Sequence, residues 1–366
     1  MLELREVFAA NGPQYVRLGG LIMGFVFGYI VFRTNFCTMG AISDFMSFGD
    51  FRRFRAWILA GASAIVGTQL LVYTGVLPIS ETMYISGSLN WLGNILGGLM
   101  FGFGMVFAGG CASKNLARVG GGDLRSLLNL VVLGIFAYMT IGGVLGPLRD
   151  AIDQATSVPM ASFGASQGLA DITAQAAGVA ASTAGLIVGL VIAGLMAIYC
   201  FRDSSFRSSP IHIISGIGIG LCVVAGWAVT GLAFDEFADT PMQPISLTYV
   251  RPSGDTLEWL QRFTALGLPN FGVSSLFGAL AGAFVAAISM GSFKFATYSD
   301  TNDTLRNMMG ASLMGIGGVM ALGCTSGQDV TGMSTLAIGS FLAFAAIVVG
   351  GMLGMMAFER VLMAEV

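Results

Sequence analysis

Long apolar runs alternate with short polar punctuation along this chain, and the interiors of the runs are almost free of charge. A helix rising about 1.5 Å per residue needs roughly 20 apolar residues to cross a hydrocarbon core about 30 Å thick. Allowing a shorter run where it joins a re-entrant segment, nine candidates follow: about 17–32, 56–77, 91–108, 124–146, 178–201, 210–233, 271–290, 307–322 and 334–358. Two longer polar stretches, 147–177 and 234–270, lie between them, the second holding Asp235, Glu236, Asp239, Asp255 and Glu258. Neither signals a separate soluble domain. The pattern predicts an all-α polytopic membrane protein, a single transmembrane domain over residues 1–366. The mixed-polar stretch Met1–Arg17 lacks the basic start and cleavage site of a signal peptide and reads as a short tail on the membrane surface.

Composition sharpens this picture. Charged residues make up 10% of the chain and hydrophobic ones 55%, against about 25% charged in ordinary soluble domains. A soluble enzyme, a nucleic-acid binder and a disordered chain are excluded. The 53 glycines suit closely packed membrane helices. With one histidine, His212, which reads as structural, no multi-histidine metal or catalytic site is available, and no cofactor is expected.

Lys and Arg set the orientation, because basic loops stay cytoplasmic. Arg33, Arg52, Arg53 and Arg55 follow span one, Lys114, Arg118 and Arg125 span three, Arg202 and Arg207 span five, Lys294 and Arg306 span seven, and Arg360 span nine. The alternate loops hold only Arg149, Arg251 and Arg262. The N-terminus is therefore expected outside and the C-terminus in the cytoplasm, in a bacterial inner membrane.

The stretch GFGMVFAGGCASKN from Gly102 and GIGGVMALGCTSGQ from Gly315 are identical at seven of fourteen positions without gaps, including Gly-Cys-x-Ser at one offset. They close spans three and eight, which run in opposite directions. Spans one to four (17–146) and six to nine (210–358) then read as inverted repeats around span five (178–201), the arrangement of many transporters. Each copy ends its run of small residues in a polar break, tolerated at membrane depth only inside protein or along a cavity. Short re-entrant half-helices there would turn N-termini, which attract anions, towards the centre. RTNFCTMGAISD, from Arg33, has the same look.

Five cysteines, with no CxxC among them, argue against a redox pair, a zinc knuckle or a disulfide framework. Cys200 and Cys222 lie inside continuous apolar runs and read as packing, whereas Cys37, Cys111 and Cys324 lie at helix breaks. Asn35, Ser113, Ser326 and Gln328 are neutral donors beside those breaks; Lys114 could collect an anion or simply line a cytoplasmic rim. No span carries Asp or Glu near its middle, where a proton relay would place one. Coupling would then use the thiols themselves, or the protein is a passive conduit.

In GGCASKNLARVGGGDLRSL (Gly109–Leu127), the region around Cys37 and LGCTSGQDVTG (Leu322–Gly332), the chain resembles the YeeE/YedE membrane proteins, whose characterised members are thiosulfate transporters. The resemblance extends over essentially the whole chain. It implies three pathway cysteines, which map onto Cys37, Cys111 and Cys324, and thiosulfate passed along thiols through an hourglass-shaped protein. It also implies a cytoplasmic sulfur-carrier partner of the TusA-like kind; membrane lipid is the other partner expected, and no nucleic acid. Lys114 stands where the family more often has a small residue. Two alternatives remain at this stage: a membrane thiol enzyme passing sulfane sulfur to a cytoplasmic carrier, and a transporter of another sulfur or selenium compound.

Overall fold

The computed structural model describes residues 11–163, 166–236, 242–298 and 300–364. Residues 1–10 of the expected tail, and Asp239, lie outside that set; from Gly12 the chain is already helical.

Helix α1 (Gly12–Thr34) ends at Asn35, whose left-handed backbone (φ 53°) turns the chain into the short helix α2 (Thr38–Phe48). Asn tolerates that conformation better than most residues. Helix α3 (Arg52–Tyr73) follows, then α4 (Trp91–Phe107), the short α5 (Ala112–Gly120) and α6 (Leu124–Ile141). After α7 (Gly146–Thr156) and α8 (Leu169–Ala177) come α9 (Ala181–Phe201), the single turn α10 (Ser204–Arg207) and α11 (Pro210–Leu232). The last part holds α12 (Val250–Leu266), α13 (Phe271–Ser289), α14 (Thr301–Met320), a π-helical segment (Ser326–Gly332) and α15 (Ile338–Ala364). Two short strands, β1 (Ser88–Leu89) and β2 (Val158–Pro159), pair antiparallel and tie two loops together on one face.

Among the described residues, eight helices are long and apolar enough to cross a membrane. The eighth run read from the sequence is a helix too, α14, but Asn302, Asp303, Arg306 and Asn307 occupy its first half and leave it outside those eight. The two polar stretches are not plain loops. The first forms α7 and α8, and the second contains α12, which buries Val250, Pro252, Ser253 and Gly254 and packs on α6. The outer face of α9 shows Ile187, Leu190, Val191, Leu195 and Ile198 to the surroundings, as a lipid-facing helix does.

The helices pack in matching pairs. α13 lies on α1 as α3 lies on α11, and α15 lies on α4 as α6 lies on α14; α1 meets α11 and α4 meets α14. Small residues allow the approach. A Cβ on Gly24 would stand 2.1 Å from the Ser275 carbonyl oxygen, and one on Gly282 would stand 1.9 Å from that of Phe25. Where α4 crosses α14 the contact is reciprocal: a Cβ on Gly97 would sit 2.6 Å from Gly317 O, and one on Gly317 2.5 Å from Gly97 O.

Candidate functional site

The two Gly-Cys segments leave their helices by the same hydrogen bonds. At the end of α4, Ala108 N–H reaches Gly104 O (2.9 Å), Gly109 reaches Val106 (3.2 Å) and Gly110 reaches Met105 (2.8 Å). At the end of α14, Ala321 reaches Gly317 (2.9 Å), Leu322 reaches Val319 (3.0 Å) and Gly323 reaches Gly318 (2.7 Å). Gly109 and Leu322, at equivalent places, both adopt left-handed backbone, φ 69° and 59°. Glycine does so freely; leucine is strained there by roughly 1–2 kcal/mol, and the surrounding turn holds it.

Side chains take the carbonyls these breaks expose, as a water-poor interior requires. Asn115 Nδ2 donates to Gly110 O (2.7 Å), Asn129 Nδ2 to Ala108 O (3.0 Å) and Arg118 Nη1 to Gly109 O (2.6 Å). Asn129 also meets Asn115 Oδ1 and Asn307 Oδ1, each at 3.3 Å, and so links α5, α6 and α14. In the second break Gln328 donates to Ala321 O. Gln328, read from the sequence as a solute donor, thus holds the turn with its nitrogen, while its Oε1 is buried without a partner among the described residues.

The three cysteines at breaks are all buried. Cys37 and Cys111 are the N-cap residues of α2 and α5, and neither side chain caps its helix. Their side chains face each other. Sequence reasoning could not give Cys37 a place; its partner is Cys111. From Cys111 a polar chain continues. Its Sγ lies 3.3 Å from Ser113 Oγ, which lies 3.0 Å from Ser326 Oγ in the π-helical segment. Two residues before Ser326, the Cys324 thiol accepts the Gly327 N–H at 3.4 Å and sits beside the Thr248 side chain. The Gly40 N–H lies near Cys37, and those of Ser326 and Tyr249 lie near Cys324.

The remaining sequence candidates are Asn35 and Lys114, which hydrogen-bond to each other at the outer end of the Cys37–Cys111 pair. The second break departs from the expected plain half-helix: Ser326–Gly332 is π-helical, and all seven of its residues are buried. Such segments are rare and gather at functional sites. It carries Asp329, which sequence reasoning passed over because it lies in a break and not in a span. Asp329 Oδ2, Trp57 Nε1 and the Tyr84 and Tyr249 hydroxyls are buried with no hydrogen-bond partner among the described residues. An unmatched buried polar atom costs about 1–3 kcal/mol, so several of them around one polar chain mark a place made for water or a polar solute. Cys200 and Cys222 stay out of this arrangement. Cys200 donates to Arg55 O at 3.3 Å, and Cys222 is buried within α11. His212 pairs locally with Ser209, at 2.6 Å.

This constellation of glycine turns, buried thiols and backbone donors sits inside a stretch that one known family matches: Sulphur transport, over residues 33–353. The chain belongs to the sulphur-transport family. Members similar to it over nearly their full length include the thiosulfate transporter TsuA of Spirochaeta thermophila, 30% identical over 329 residues, covering 88% of this chain and 93% of that protein. The thiosulfate transporter TsuA of Escherichia coli is 27% identical over 336 residues, 86% of each chain. A probable transporter, YedE of Escherichia coli, is similar over a shorter part, 30% identical over 145 residues, 38% of this chain and 33% of that one. The matched region of the sulphur-transport family includes Cys37, Cys111 and Cys324 and the two turns that carry the last two.

Proposed function

We propose that this protein carries thiosulfate, or a closely related small sulfur oxyanion, across the membrane into the cytoplasm along Cys37, Cys111 and Cys324. Ser113, Ser326 and backbone N–H groups bridge the thiols, and Asn35 and Lys114 flank the cytoplasmic end. One observation carries the reading: the contacts from Cys111 through Ser113 to Ser326, which join the two Gly-Cys breaks inside a buried polar chain. Sulfur is soft and weakly hydrogen-bonding, and a sulfur-bearing anion meets thiols, hydroxyls and an N–H donor along this chain. The names of the two long relatives support thiosulfate as the solute.

The inverted-repeat reading, 17–146 against 210–358 around 178–201, is part of the proposal. Support comes from the matched turn hydrogen bonds, the paired helix contacts and the reciprocal Gly97–Gly317 crossing. The basic loops support an external N-terminus and a cytoplasmic C-terminus in an inner membrane. On that side a TusA-like sulfur carrier is the partner proposed to receive the solute.

The test is uptake of labelled thiosulfate by cells lacking their own uptake systems. Cys37→Ala, Cys111→Ala and Cys324→Ala should each reduce uptake at equal membrane abundance. Normal transport by all three variants would end the thiol-path reading.

A further inference from the structure

A cavity of about 220 Å³ adjoins the second break, lined among others by Thr248, Leu322, Gly323, Met83, Arg149 and Arg251. At roughly 30 Å³ per water it has space for about seven waters, enough for a small anion with part of its hydration shell. Through Arg251, Met83 and Ile245 it adjoins a larger cavity of about 430 Å³ that Arg17 and Asp255 also line. It therefore lies between that larger space and the residues flanking Cys324.

Its charge is of one sign. Among the described residues that line the smaller cavity, Arg149 and Arg251 are the only charged ones, and the acids that pair with them, Asp150, Asp153 and Asp255, are not in that lining. Those pairings leave donors free. Asp255 Oδ1 lies 3.7 Å from Arg251 Nε and already accepts the Tyr138 hydroxyl at 2.6 Å, and a guanidinium has five N–H donors. Thr248 forms the inner end. It is 4% exposed, its side chain sits beside Cys324, and a Cβ on Gly327 would come within 2.5 Å of its Oγ1. Walls of Met83, Ile141, Ile245, Val250 and Val319 are apolar, which concentrates the field of the two arginines.

We propose that this cavity is a capture site for a small doubly charged oxyanion, held by Arg149 and Arg251 and passed by Thr248 to Cys324. The proposal deepens the transport reading and rests on it for the identity of the anion. It places the selection for charge before the thiols, at a point where none of the three cysteines yet touches the solute.

The test is equilibrium binding of labelled thiosulfate to the purified full-length protein at low and moderate salt, run beside uptake in cells. Arg149→Gln and Arg251→Gln should each weaken binding about tenfold or more and flatten its salt dependence. Arg251→Lys should keep most of the affinity, which separates lost charge from misfolding. Arg262→Gln, whose side chain pairs with Glu258 at 2.5 Å and does not line this cavity, should bind like the wild type. Wild-type affinity and salt dependence in both glutamine variants would overturn the capture site, as would the absence of saturable binding by the wild type. Arginine-dependent binding without uptake would support the capture site and remove the transport reading. Uptake with arginine-independent binding would do the reverse.

Discussion

Ser113 is the point at which the two Gly-Cys breaks touch, so its removal gives a quantitative prediction. Its hydroxyl has two side-chain partners, Cys111 Sγ at 3.3 Å and Ser326 Oγ at 3.0 Å. A hydrogen bond of this kind contributes about 0.5–1.5 kcal/mol net, so Ser113→Ala removes about 1–3 kcal/mol. If that loss falls on the passage of the solute, uptake drops between about fivefold and 150-fold, at about 1.4 kcal/mol per factor of ten. Ser326→Ala breaks the 3.0 Å contact from the other side and should lower uptake by a smaller factor, since Cys111–Ser113 survives. The decisive measurement is the double variant. Residues in direct contact are non-additive, so once Ser113 is alanine, Ser326→Ala should cost little more. Uptake rates of the four proteins, normalised to membrane abundance, close the cycle. Fully additive losses, or wild-type uptake in Ser113→Ala, would refute the reasoning.

Three further outcomes are expected. Gly282→Ala places a methyl 1.9 Å from Phe25 O, forcing α13 away from α1 by more than 1 Å; overpacking of this kind costs about 1–3 kcal/mol and should lower the thermal midpoint of the purified protein, whereas an unchanged midpoint would contradict the packing described. Asn129→Ala strips Ala108 O of its side-chain donor and leaves Asn115 and Asn307 without one partner each, so it should destabilise the protein by about 2 kcal/mol or more, read by the same thermal assay; Asn129→Gln should recover only part, being one methylene too long. Thr248→Val should slow uptake and Thr248→Ser should spare it if the hydroxyl beside Cys324 takes part in passage; equal uptake by both would assign Thr248 to packing alone.

Much of this architecture was legible in the amino-acid sequence. Hydropathy located the long helices because a bilayer demands a length and an apolar character that few other structures share. Helix α14 is the exception: its first half carries Asp303, Arg306 and Asn307, the last meeting Asn129, so the run read as a span from 307 is a helix from Thr301 that falls outside the eight apolar ones. The paired Gly-Cys-x-Ser marked both breaks, since left-handed turns and close helix crossings leave a compositional trace. What the sequence could not supply was contact across large separations. Cys37 and Cys111 lie 74 positions apart and Ser113 and Ser326 lie 213 apart, and nothing periodic connects such pairs. Asn115 and Asn129 were passed over for a similar reason: an asparagine shows which carbonyl it serves only after the helices are packed. Helix α12 was hidden because a short amphipathic segment with Asp255, Glu258 and Arg262 reads as a polar loop until the face it buries against α6 is known. Asp329 was missed because the search for acids was confined to the spans.

The central claim is that a sulfur oxyanion crosses this protein along its buried thiols, and Cys111, which faces Cys37 and touches Ser113, is the residue on which it turns. The most direct measurement is uptake of labelled thiosulfate by cells without their own uptake systems, expressing either the wild type or Cys111→Ala at equal membrane abundance. The account predicts uptake by the wild type and its loss in the variant. Equal uptake by both proteins, or none by the wild type, would contradict it.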